Sequence, residues 1–282
     1  MTKTTHEMPI LIRHIVNHPS LLILFLLFLF LVWRWLTVPR DKKRVEYLLV
    51  LCLMVSPVCY LLIRKALARL MDLCPMKYDL YAYQFGTWFG SPSFQMRGFA
   101  LNHHWFMLLT KLTYDCVYLV LIGTVAAYLW LGSKQEVRRV LNTFGLNLAM
   151  APLIYILIPV AGPRYAFPDF PALPGGLIAQ PMLIAAAPKG IPALHLTMAL
   201  IALWFLRRWW WGRIAGGLYA ILMVLSVLGN GEHYLLDVLC SLPFTAVICY
   251  VGTPKAEYAL EEEQREKMLG RIAWRGNTGQ SE

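Results

Sequence analysis

The chain has 282 residues, of which 58% are hydrophobic and only 15% charged. A soluble domain carries roughly 25% charged residues, so this composition excludes an ordinary soluble enzyme and predicts an all-α membrane bundle in one integral domain. The net charge of +10 does not mark a nucleic-acid binder, because the basic residues fall in short loops rather than on one soluble face.

A hydrocarbon core about 30 Å thick takes roughly 20 apolar residues at helical rise. Along the chain this predicts spans near 19–37, 46–64, 113–132, 141–161, 192–206, 214–229 and 235–252, a polytopic bundle of about six or seven transmembrane helices. The first span is too long for a cleavable signal and has no small-residue cleavage pattern behind it, so it is expected to stay as an anchor. The stretch 65–112 mixes Lys65, Arg69, Lys77, Arg97 and Lys111 with aromatics. It reads as an amphipathic or re-entrant segment on the outer face, with an interfacial helix at 65–73, or equally as a loop packed over the bundle. Residues 1–110 are therefore the N-terminal anchors with this segment, 111–253 the catalytic core, and 254–282 a charged cytoplasmic tail.

Four basic stretches set the orientation: PRDKKR at 39–44, SKQEVRR at 133–139, RRWWWGR at 207–213 and the tail after Thr253. Basic short loops mark the cytoplasmic side, which sends the loop around Arg164, together with His195 and His233, to the extracytoplasmic face. A bacterial inner membrane suits this pattern. Seven spans leave the N-terminus outside despite Lys3 and Arg13; six spans, with one early segment in the interface, are the alternative. Trp204, Trp209, Trp210 and Trp211 form an interfacial belt. The six cysteines are scattered without paired spacing, which argues against a disulfide framework or a thiolate metal site.

Three polar patches interrupt the apolar background: GPRY at 162–165, IPALH at 191–195 and GNGEHYLLDV at 229–238. Ionisable groups at membrane depth are costly and usually functional. His233 and Asp237 are four apart, so on a helix they share a face. A carboxylate that accepts a hydrogen bond from one ring nitrogen fixes the tautomer and leaves the other nitrogen free to attack or take a proton. A structural His–Asp bond at a helix end satisfies the same spacing. Pro192 places His195 in the opening turn of the fifth span, on the same aqueous side, where it can protonate a leaving oxygen or serve as a polar interface residue. Arg164, just past the fourth span, offers a guanidinium fork for phosphate or for a lipid head group; Lys189 is a second candidate phosphate contact. No HExxH, phosphate-cradling loop or dinucleotide fingerprint is present. His195, His233 and one carboxylate could ligate zinc, but nothing in the spacing requires it, and the expectation is no metal and no cofactor.

These residues resemble the type-2 phosphatidate phosphatase superfamily, whose motifs run Lys-x6-Arg-Pro, Pro-Ser-Gly-His and Ser-Arg-x5-His-x3-Asp. The second reads here Pro192-Ala193-Leu194-His195, and the third Ser226-Val227, five residues, His233, three residues, Asp237. The first survives as Gly162-Pro163-Arg164-Tyr165. The Gly-Pro-x-Tyr, Pro-x-Leu-His and Gly-x-His-Tyr-x-x-Asp forms are similar to the branch containing inositol phosphorylceramide synthases. The resemblance implies His233 as the nucleophile forming a phosphoenzyme, Asp237 as its orienter, His195 as the general acid and Arg164 as a phosphate ligand, without metal. Val227 stands where the third motif has arginine and Ala193 where the second has serine. Arg97, Lys111 and Lys189 are the candidates to supply the missing charge.

The expected activity is transfer of the phospho-head group of a phospholipid or isoprenyl-phosphate substrate to a lipid or glycan acceptor, within the lipid bilayer and without nucleic acid. Hydrolysis of a lipid phosphate or isoprenyl diphosphate would use the same residues. A non-catalytic lipid-binding protein or a transporter is the remaining alternative. Oligomeric state is not legible in the sequence.

Overall fold

The computed structural model describes residues 78–167, 169–172 and 190–253. The spans read at 19–37 and 46–64, the helix at 65–73, Lys189 and the tail after Thr253 lie outside the described residues. Those described are all-helical, with no strand among them. In chain order the helices are α1 (Asp79–Thr87), α2 (Pro92–Asn102), α3 (His104–Asp115), α4 (Val117–Leu131), α5 (Lys134–Leu157), α6 (Pro163–Ala166), α7 (Leu194–Leu206), α8 (Trp210–Gly229) and α9 (Leu235–Val251).

Two helices, α5 and α8, are long and apolar enough to cross a membrane. The α3–α4 pair makes a third if it counts as one span bent by 46° at Cys116. Of the shorter apolar helices, α7 packs against α4, α5 and α8, and α9 packs against α7, α5 and α1. This is a membrane-associated helical bundle. Where helix limits depart from the sequence expectation, local chemistry explains it. α5 begins well before residue 141 because Ser133 caps it: the Ser133 Oγ accepts the Glu136 N–H while the Glu136 carboxylate accepts the Ser133 N–H. Part of the 65–112 stretch is ordered helix, α1 and α2, rather than a simple connecting loop.

The main core joins α4, α5, α7, α8 and α9, with Phe144, Tyr155, Leu196, Met198, Ile201 and Met223 among its fully buried side chains. Deleting one such side chain would typically destabilise the fold by about 2–5 kcal/mol. A second, smaller core of Phe94, Val160, Phe167, Ile191 and Tyr234 seals α1 and α2 against the loops at the other end of α5 and α9. Phe94 meets Phe167 and Phe170 edge-on, at 5.4 and 4.9 Å between ring centres. α5, α7 and α9 thereby present one set of ends to the polar loops at 160–167 and 229–234.

Candidate active site

His233 precedes α9 rather than riding on it, a correction to the shared-helix-face expectation. α9 starts at Leu235, and His233 ends the Gly229–Glu232 turn. That turn is pinned from two sides: the Val227 carbonyl accepts the N–H groups of Glu232 and His233, each at 3.2 Å, and the Ser93 hydroxyl donates to the His233 carbonyl at 2.8 Å. Asp237 is in the first turn of α9, and its Oδ2 accepts the Tyr234 N–H at 2.9 Å. The same oxygen stands 3.3 Å from His233 Nδ1, with both side chains buried. The Gly190 carbonyl is closer still, 3.0 Å from Nδ1. A carbonyl can only accept, so Nδ1 carries the proton and the Nε2 lone pair is left outward from this clamp. The Gly190 contribution has no signature in the sequence.

Asp237 also ties His195 to the site. Its carbonyl accepts from the Ser241 hydroxyl at 2.8 Å, and the same hydroxyl oxygen accepts the Ala193 N–H at 3.0 Å. Ala193 precedes α7, so His195 is the second residue of that helix, as Pro192 predicts. The His195 ring is stacked on Tyr114 at 3.9 Å between centres and meets Tyr118 edge-on at 6.2 Å. Ala193 itself is buried, which accounts for a small residue at this motif position.

Arg164 is the second residue of the short helix α6, after Pro163, and its N–H donates to the Gly231 carbonyl at 3.0 Å. This joins the first-motif loop to the turn that bears His233. The two backbones run so close that Gly162 and Gly231 are required: Gly162 has φ of +102° and a Cβ there would sit 2.2 Å from the Glu232 carbonyl. At Gly231, φ is +70° and a Cβ would strike the Phe170 ring at 2.3 Å. Arg164 Nη1 reaches Glu232 Oε1 at 3.3 Å, and the Tyr165 hydroxyl donates to the same carboxylate. The guanidinium is half exposed whereas the carboxylate is buried.

Two further groups escaped the sequence reading. Asp79 is fully buried, and its carboxylate accepts the Ala161 and Gly162 N–H groups at 3.0 Å and the Tyr234 hydroxyl at 3.0 Å. Burial still holds its carboxyl above its ordinary value, against the lowering effect of those hydrogen bonds. Asp79 thus fastens the first-motif loop to the residue after His233. Glu232 is the second, as partner of Arg164. Val227, at the position of the missing arginine, is buried in the core. Half-buried Arg97 on α2 lies instead within the field of both Arg164 and Glu232. Burial first, then the Arg164 charge, push its pKa down, and Glu232 pushes it up. Of the three candidates for the missing charge, Lys111 is exposed on α3 and Lys189 lies outside the described residues. Among the described residues no group of three or more His, Cys, Asp or Glu side chains is arranged to hold a metal.

The fold and this constellation are those of a helical membrane protein with a buried His–Asp pair, the histidine ending a turn whose Glu232 is paired with Arg164. The chain belongs to the PAP2 superfamily, whose sequence profile matches residues 79–251, more than half of the chain. Membership points to phosphatase or phosphotransferase activity on lipid phosphates. No curated protein and no solved structure matches the chain significantly.

Proposed function

We propose that the protein is an integral membrane phosphotransferase that cleaves a lipid phosphoester or phosphodiester through a phosphohistidine on His233 and passes the phospho group to a lipid or glycan acceptor. The observation that carries this is the Nδ1 clamp: Gly190 O at 3.0 Å and Asp237 Oδ2 at 3.3 Å both face one ring nitrogen of a buried histidine. Such a clamp directs the Nε2 lone pair to one target.

In the first step His233 Nε2 attacks phosphorus in line and the bond to the leaving oxygen breaks. His195, protonated, gives its proton to that oxygen. The developing imidazolium of His233 is stabilised by Asp237. Arg164 and Arg97 hold the phosphate oxygens, whose charge they neutralise in the transition state; Lys189 is a further phosphate contact in this reading. In the second step neutral His195 takes the proton of an acceptor hydroxyl, the acceptor oxygen attacks phosphorus, and the N–P bond breaks. Water in place of the acceptor gives hydrolysis. Glu232 favours a phosphodiester over a phosphomonoester as donor, because a buried carboxylate beside Arg164 opposes the second negative charge of a phosphomonoester. The reading carries with it no metal, the inositol phosphorylceramide synthase-like branch, six or seven spans, and a site on the extracytoplasmic side of a bacterial inner membrane.

The test is full-length protein in detergent with labelled phospholipids and isoprenyl diphosphates, with and without EDTA. Products with a new head group, unaffected by EDTA and absent in His233→Ala and His195→Ala, support the reading, as does an acid-labile, base-stable phosphoenzyme lost in His233→Ala. Free phosphate with the same dependence moves the protein to lipid phosphate hydrolysis. Silence of the wild type across the panel, with no phosphoenzyme, overturns the enzyme reading in favour of lipid binding or transport.

A further inference from the structure

At the end of α7 opposite His195 lies a cavity of about 350 Å³ that the reaction above does not use. α7 carries His195 in its first turn and is followed directly by Arg207, which puts the two roughly 18 Å apart at helical rise. The first two turns of α5 contribute Glu136 and Arg139 to the cavity, and the end of α7 with its following turn contributes Trp204, Phe205, Arg207 and Arg208. Its volume falls in the range of about 300–1,000 Å³ typical of small-molecule sites.

The lining is organised rather than merely basic. Glu136 is engaged by Arg208 and, at 2.7 Å, by the Ser133 N–H. Arg139 Nε donates to the Thr253 hydroxyl at 2.9 Å, and Thr253 in turn donates to the Cys249 carbonyl at 2.8 Å, which ties the wall to the end of α9. The Arg139 guanidinium also lies 5.8 Å from the Phe205 ring centre, and that of Arg207 lies over the Trp204 ring, 3.3 Å from its centre. Three guanidinium groups and one carboxylate line the cavity and leave it with an excess of positive charge. Guanidinium forks positioned by aromatic rings suit bidentate capture of phosphate oxygens. Trp209 and Trp211, stacked at 5.5 Å beside the cavity, and exposed Trp210 set it at head-group depth.

We propose that this cavity binds the phosphate of an anionic phospholipid head group, at the membrane face opposite the candidate active site. The shared chemistry is a phosphate anion, which a lipid or free phosphate can supply. The site is independent of the reaction at the other end of α7.

The test titrates full-length protein in detergent with soluble short-chain phosphatidylglycerol, short-chain phosphatidylcholine and inorganic phosphate, by calorimetry. Wild type is expected to bind the anionic lipid and not the zwitterionic one. Arg139→Gln/Arg207→Gln should weaken it by about 30-fold, from two cationic contacts of about 1 kcal/mol each. Arg207→Gln alone should lose about fivefold on the same scale. It is the variant to read if the double variant does not fold, because Arg207 is exposed. Competition by inorganic phosphate assigns the site to phosphate as such; failure to compete assigns it to the lipid head group. Unchanged phosphatidylglycerol affinity in Arg207→Gln with an unchanged melting temperature overturns the proposal, as does equal affinity of the wild type for the two lipids.

Discussion

Glu232→Gln separates charge from shape at the candidate site. Glutamine is isosteric and keeps an oxygen for the Tyr165 hydroxyl, so the turn before His233 should hold. What is lost is the negative charge 3.3 Å from Arg164. A phosphate oxygen on the far side of the guanidinium would stand about 6 Å from the carboxylate, allowing one charge-assisted hydrogen bond. Arg164 is 57% exposed, so an effective dielectric of about 40, between that of a near-surface pair and water, is appropriate. Each unit of substrate charge then meets about 1.4 kcal/mol of repulsion, a factor of about ten. A phosphomonoester dianion bears one more unit than a phosphodiester. The ratio of kcat/KM for diester over monoester should therefore fall by about tenfold in Glu232→Gln. The same difference should appear in competitive inhibition by inorganic phosphate measured above and below its second ionisation. An unchanged ratio, with the variant folded, would refute the charge argument; a rise in the ratio would reverse its sign.

Asp79→Ala would strip the acceptor from two buried N–H groups and the Tyr234 hydroxyl, and should lower stability by about 3 kcal/mol, measured by thermal melting in detergent; a protein as stable as wild type contradicts it. Because the Asp79 carboxyl is held above its ordinary 3.8, the folded state keeps a proton that the unfolded chain has lost. The stability from this group is full below 3.8 and declines as pH rises through the raised value, a slope that Asp79→Ala should flatten. Tyr114→Leu removes the ring stacked on His195, an interaction worth about 1 kcal/mol. The rate should fall severalfold with an alkoxide leaving group and hold with a nitrophenolate one, which needs no proton; equal losses on both would detach Tyr114 from the proton transfer. Arg97→Gln should lower kcat/KM about tenfold, as for loss of one charged contact, with partial recovery in Arg97→Lys. Lys111→Gln should change neither, and parity of Arg97→Gln with wild type would return the missing charge to another residue.

What the sequence disclosed and what it hid follow from sequence distance. The His233–Asp237 pair and the placement of His195 after Pro192 are local patterns, readable from spacing and turn chemistry. The Gly190 carbonyl, 43 residues from the histidine it contacts, is not. Neither is Asp79, 155 residues from Tyr234. Backbone carbonyls carry no side-chain signal, and an aspartate in a run of tyrosines looks like a loop residue until a fold closes over it. The apolar runs disclosed the all-helical, membrane-associated character of the described residues. Their limits were blurred by the Ser133 cap, which starts α5 in a basic loop, and by the bend at Cys116, where two helices share one apolar run.

The departures from the family pattern become intelligible once the elements are in place. An arginine at position 227 would have to leave the core, where Val227 is fully buried and its carbonyl already holds the turn bearing His233. Arg97 brings a guanidinium into the same field from α2, a helix outside the quoted motifs, and α2 is docked there by Phe94 and by the Ser93 bond to the His233 carbonyl. In the reading proposed above, the charge that the third motif places on α8 is supplied from α2 instead. With Glu232 drawn against Arg164, the phosphate subsite proposed above combines two arginines with one carboxylate. That balance matches a singly charged phosphodiester donor better than a doubly charged monoester, whereas the choice between a hydroxyl acceptor and water is made only in the second step, when the N–P bond breaks.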